Sequence, residues 1–141
     1  RSRVRHGFGK TSVRRLLWGY SLTINSRSKG ARFERELAAW LRDTFGVEAR
    51  RGQQFSGGPD SPDVIGWPGV HIEAKHVEKL NIETAMLQAE RDAAGRAVPV
   101  VIHKRNRTAR MLTVRLDQIE ELAAAVASLR GRPVYPAEGK K

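Results

Sequence analysis

The sequence has no cysteine at any of its 141 positions, which excludes a disulfide framework, a zinc-thiolate centre and a cysteine nucleophile. No apolar run reaches the length that carries a helix across a bilayer, so a membrane partner is not expected. Acidic residues are missing from the first 32 positions, which hold nine Lys or Arg, while the remaining positions hold seventeen basic against fifteen acidic residues. The net charge of +11 is therefore concentrated in a basic arm ahead of a nearly neutral body. A chain of this length suits one domain around a single core. The expected organisation is a basic extension over residues 1–28, a folded domain over 29–130 and a basic, disordered tail over 131–141 carrying Pro133, Pro136 and Gly139.

Three readings of the extension stay open. It can neutralise nucleic-acid phosphates without sequence preference. It also has the Arg-rich, acid-free character of an organelle-targeting segment, with Val13, Leu16, Leu17 and Tyr20 near helical spacing. Or it merely reflects where the chain begins, at Arg1. Gly9-Lys10-Thr11 matches the end of a phosphate-binding loop, but Val4 stands where that motif requires glycine, so the motif is rejected.

Hydrophobic spacing defines the expected elements. Phe33, Leu37, Trp40 and Leu41 recur at helical intervals and predict a helix from about Ser28 to Thr44, capped by Ser26 or Ser28 and ended by Gly46. Val47 to Arg51 reads as a first strand, followed by a glycine- and amide-rich loop through Ser56 and Gly57. Val64-Ile65 and Val70-His71-Ile72 flank Gly66-Trp67-Pro68-Gly69, the punctuation of a tight turn between antiparallel strands. A second helix is expected from about Asn81 to Ala94, with Ile82, Ala85, Met86 and Ala89 inward. The unbroken apolar character of Val98 to Ile102 marks a strand buried on both faces. Lys104-Arg105-Asn106-Arg107 makes a basic turn before a strand at Met111 to Val114. A last helix over Leu116 to Leu129 would be capped by Asp117 and present Ile119, Leu122, Ala123 and Val126 on one apolar face. Helix, three strands, helix, two strands, helix is the order of an α/β fold with a mixed central β-sheet flanked by helices.

The chemistry concentrates between Gly57 and Lys75. Glu73 and Lys75, two apart on a strand, point the same way, while Ala74 points to the other face. Folding the hairpin back brings Asp63 near Glu73. Two carboxylates and an ammonium gathered at strand ends suit a hard divalent cation, which takes oxygen ligands and keeps several waters. Such an ion polarises a phosphate oxygen and lowers the pKa of water, and the lysine can orient that water or stabilise charge building on phosphorus. Lys29, Arg32, Arg50, Arg51, Lys104, Arg105 and Arg107 offer positive charge to a nucleic-acid backbone, and the loop at Ser56 and Gly57 offers N–H and hydroxyl donors. These residues also have plain structural readings. Glu34 and Glu36 favour the positive end of a helix dipole and pair with arginines, and glycine-rich loops and basic turns are commonly just solvated. His71 shares a strand face with Glu73, but the four histidines are too scattered to prescribe a metal site.

Pro62-Asp63, nine intervening residues and then Glu73-Ala74-Lys75 resembles the PD-(D/E)xK signature of the restriction-endonuclease-like nucleases. Lys29-Gly30-Ala31-Arg32-Phe33-Glu34-Arg35-Glu36-Leu37 is similar to the first helix of the archaeal-type Holliday junction resolvases, in which a glutamate follows a glycine by four positions, here Glu34 after Gly30. Phe55-Ser56-Gly57-Gly58 ahead of Pro62-Asp63 resembles their serine-glycine loop. The likeness covers roughly residues 29 to 115. It implies a restriction-endonuclease-like core in which Asp63 and Glu73 bind metal with the Ala74 carbonyl, Lys75 positions the attacking water, and Glu34 completes the site or serves a second ion. A glutamine on the helix after the signature, here Gln88, is implied to lie near the site. Magnesium is the implied cofactor, with manganese as its substitute. Branched DNA, and the four-way junction above all, is the implied substrate, cut by paired symmetric nicks that leave 5′-phosphates during recombination and repair. The approximate two-fold symmetry of such a junction calls for a homodimer. An intracellular place, cytoplasmic or nucleoid-associated, goes with a DNA substrate and a cysteine-free chain.

Two rivals stand beside this reading. The first keeps the chemistry and changes the target, either to flaps, as in a virus-type replication-repair nuclease domain, or to a sequence, as in a restriction enzyme, for which so short a domain leaves little recognition surface. The second is a non-catalytic DNA-binding protein in which Asp63, Glu73 and Lys75 are a structural ion-pair cluster. Carboxylates beside phosphate gain nothing electrostatically unless a cation lies between them.

Overall fold

The structure, a computed structural model, describes residues 12–52 and 61–131, with side chains from Ser26 onward. Ser56 and Gly57, the first eleven residues and the tail from residue 132 lie outside the described residues. The first element, α1 (Ser12–Phe45), is one continuous helix. Ser26 and Ser28, expected as caps, lie within it, and the expected boundary at residue 28 falls inside it. Serine is a weak stop when good helix formers such as Arg14-Arg15-Leu16-Leu17 precede it with no proline between. Phe33, Leu37, Ala38 and Leu41 bury one face of α1. Gly46, at φ 66°, ends it by donating its N–H to the Arg42 carbonyl at 2.9 Å.

The first strand is shorter than expected, since β1 holds only Arg50–Arg51. Its lead-in is fixed by other means: Val47 and Ala49 are buried, and the Ala49 carbonyl accepts from the Arg42 guanidinium at 2.7 Å. The hairpin is present as expected, with β2 (Val64–Ile65) antiparallel to β3 (Val70–His76) and Val64 opposite Ile72. A parallel crossover follows through α2 (Ile82–Ala93), whose cap Asn81 accepts from the Thr84 N–H at 3.0 Å. It delivers β4 (Val98–Lys104) alongside β3, from Val70 opposite Val98 to His76 opposite Lys104. β5 (Met111–Thr113) returns antiparallel to β4 and completes a mixed sheet in the order β1-β2-β3-β4-β5.

A 3₁₀ turn over Leu116–Gln118 leads into α3 (Ile119–Arg130). Asp117 does not cap this helix. It lies inside the turn, and the capping position belongs to Gln118, which makes no side-chain capping bond. Leu122, Ala125, Val126 and Leu129, at helical spacing, turn toward the core. Leu122 and Leu129 are buried, whereas Ile119 is 48% exposed and Ala123 is exposed, contrary to the expected stripe.

Strand alternation divides the core. Ile72, Val100 and Ile102 pack with Phe33, Leu37 and Leu41 of α1 and Leu122 and Leu129 of α3, while Val101 packs on the opposite face with Ala85, Met86 and Ala89 of α2. The helices thus flank a sheet covered on both faces. Among the described residues no helix is long and apolar enough to cross a membrane.

Candidate active site

Asp63 is fastened on three sides. Its N–H donates to the Ile72 carbonyl at 2.9 Å, its carbonyl accepts from the Gly52 N–H at 2.8 Å, and its Oδ2 accepts from the Ala74 N–H at 2.8 Å. The hairpin therefore does what its spacing predicted and lays Asp63 against the strand that carries Glu73. Glycine is required at position 52, where a Cβ would lie 2.1 Å from the Pro62 carbonyl oxygen.

Glu73 and Lys75 share the β3 face that looks toward α2. Glu73 is buried, with the Lys75 ammonium 2.7 Å from its Oε1. The same ammonium donates to Gln88 Oε1 of α2 at 3.3 Å, so the glutamine joins the group. Ala74 faces the other way, packing against the α1 side of the core. Glu34 approaches from α1 and binds the Arg51 guanidinium.

Electrostatics tie these groups together. The Asp63 carboxyl is pushed up to about 7, first by burial, then by the Glu73 charge; the Ala74 N–H opposes this, Glu34 adds to it and Lys75 subtracts. A carboxyl that keeps its proton to neutrality marks a place short of positive charge, and a divalent cation is what oxygen donors so arranged can hold.

The basic residues are distributed unevenly. Arg32, Lys104 and Arg107 line one cavity of about 620 Å³ with His76 and Asn106, at the carboxyl ends of β3 and β4. Lys104 also lies over the Phe33 ring and pairs with Glu36 at 3.0 Å. Lys29 is 3.9 Å from Glu78, Arg50 and Arg105 are exposed, and Arg51 is engaged by Glu34.

Sequence reasoning passed over His76 and Asn106, which meet at 3.1 Å between His76 Nε2 and Asn106 Oδ1. Burial lowers the His76 pKa, and Lys29, Lys104 and Arg32 lower it further against the opposing Asn106 hydrogen bond. The available signal was the position of His76 directly after Lys75. Asp92 was also missed, although a charge falling in step with the inward Ala85 and Ala89 was visible in the spacing.

No curated protein matches the chain. Among solved structures it is similar to Hjc of Archaeoglobus fulgidus, a Holliday junction resolvase from an archaeal hyperthermophile solved at 1.6 Å, with 28% identity, 61% of this chain and 72% of that one covered, and a TM-score of 0.45. A family model matches residues 25–130, a span that contains Glu34, Asp63, Glu73, Lys75 and Gln88, and the chain belongs to that family, described as “Phage putative PDDEXK endonuclease”.

Proposed function

We propose that this chain is a metal-dependent, structure-specific DNA endonuclease that resolves four-way junctions by paired symmetric nicks. The observation that carries the reading is the convergence of Asp63, Glu73 and Lys75, with an Asp63 carboxyl raised to about 7 beside a second, buried carboxylate. Asp63, Glu73 and the Ala74 carbonyl would hold magnesium, or manganese in its place, and Glu34 would complete the site or serve a second ion. When bound, the ion supplies polarisation of a phosphate oxygen and acidification of water. Lys75, anchored between Glu73 and Gln88, aims its ammonium at the attacking water and at charge developing on phosphorus. Gln88 is the positioning residue for that ammonium. Arg32, Lys104 and Arg107, with Lys29, Arg50, Arg51, Arg105 and the loop at Ser56 and Gly57, hold the DNA backbone without reading sequence.

The junction as substrate is favoured by Gly30 to Glu34 and by the serine-glycine loop before Pro62-Asp63, both of which resemble the resolvase pattern. Two matched cuts in a nearly two-fold substrate require two copies of the site, supplied by a homodimer. A DNA substrate places the protein inside a cell, in the cytoplasm or on the nucleoid. The test compares a labelled immobile junction with a flap, a splayed arm and a duplex, mapping the ends produced. Symmetric nicks with 5′-phosphates in the junction, at rates the other substrates do not approach, are expected. Flap cutting as fast as junction cutting would leave a nuclease and remove the resolvase.

A further inference from the structure

We propose that His71, Glu73 and Asp92 form a second cation site, for a divalent transition-metal ion with affinity for imidazole nitrogen, enclosed between β3 and α2. These are the buried polar residues among those described, at 5%, 3% and 5% exposure, and their donor atoms all lie within 4.8 Å of one another. Strand alternation brings His71 and Glu73 to one face of β3. Asp92 meets them from α2, continuing the inward line of Ala85 and Ala89. The cluster is thus assembled from two elements on opposite sides of one interface.

Two buried carboxylates this close repel each other, and burying charge is costly unless it is compensated. Lys75 lies 2.7 Å from Glu73 Oε1, and Arg91 lies 3.1 Å from Asp92 Oδ1 with most of its own side chain in solvent. A carboxylate has two oxygens, so each can serve its basic partner and an ion together. One imidazole nitrogen with two carboxylate oxygens is a donor set that zinc and manganese accept, whereas magnesium prefers oxygen alone and retained water. The site shares Glu73 with the proposed magnesium site but stands without the nuclease reading.

The test titrates the full chain, stripped with chelator and dialysed, with zinc alone in a calorimeter. One ion per chain held by these residues is expected, with affinity lowered at least about tenfold in His71→Gln and in Asp92→Asn and by clearly less in Asp63→Asn. Absence of zinc binding overturns the proposal, and so does binding that depends on Asp63 but not on His71. If the buried variants fail to fold, pulsed electron paramagnetic resonance of manganese bound to Asp63→Asn, which lacks the proposed magnesium site, reads the imidazole nitrogen directly. A manganese spectrum without nitrogen coupling overturns the proposal equally. Loss of junction cutting in Asp63→Asn with zinc binding retained would separate this site from the magnesium site.

Discussion

At the scale of single residues, the site is organised by one carboxyl that is hard to ionise. Asp63 titrates near 3.8 in the unfolded chain and near 7 when folded, so between those values the folded state holds the extra proton. Its stabilisation is complete below the unfolded value and is lost as pH rises through the folded one. Asp63→Asn keeps an acceptor for the Ala74 N–H and removes the charge. In chelator at pH 8 it should melt about 3 °C or more above the wild type, and the advantage should shrink at pH 5. Thermal melts at the two pH values check this, and an equal difference at both would contradict the assignment. Lys75→Ala should lower kcat by about 10²–10⁴. Gln88→Ala, which only frees the ammonium, should lower kcat about tenfold and leave KM unchanged in steady-state cleavage assays.

At the scale of elements, the hairpin is the device that makes the site, and its glycines separate geometry from strain. Gly52 sits so close to Pro62 that Gly52→Ala must push the segment bearing Asp63 away. Gly69, at φ 80°, has open space where a methyl group would stand, so Gly69→Ala meets only backbone strain, about 1–2 kcal/mol. Both variants should melt earlier, but only Gly52→Ala should lose cleavage in proportion beyond its stability. The hairpin, the buried β4 and the placement of Asp63, Glu73 and Lys75 were legible because they rest on local spacing and period-two alternation. The start of α1 was not, because Ser26 and Ser28 are only weak caps within a run of helix formers. The inward face of α3 was not either, because the observed Leu122, Ala125, Val126 and Leu129 fit the same helical spacing as the expected Ile119, Leu122, Ala123 and Val126. The cavity of Arg32, His76 and Asn106 joins residues from α1, β3 and the β4–β5 turn, a non-local meeting that no spacing rule encodes.

At the scale of the whole molecule, charge and chemistry are separated. Asp63 and Glu73 meet at the hairpin, while Arg32, Lys104 and Arg107 line a cavity at the carboxyl ends of the parallel strands, where α/β sheets commonly receive ligands. Replacing Arg32, Lys104 and Arg107 together by alanine should flatten the plot of log affinity for DNA against log salt by about 2 to 3, at about 0.9 for each phosphate no longer neutralised. Anisotropy titrations at several salt concentrations measure it, and an unchanged slope would remove these residues from the interface. Catalysis should be separable from that binding. The most direct measurement is cleavage of a labelled immobile four-way junction by the wild type and by Asp63→Asn, each with magnesium and with chelator, alongside their binding. Cutting by the wild type with magnesium alone, and tight binding without cutting by Asp63→Asn, is the predicted result. Cutting in chelator, or undiminished cutting by Asp63→Asn, would contradict a metal-dependent centre built on Asp63.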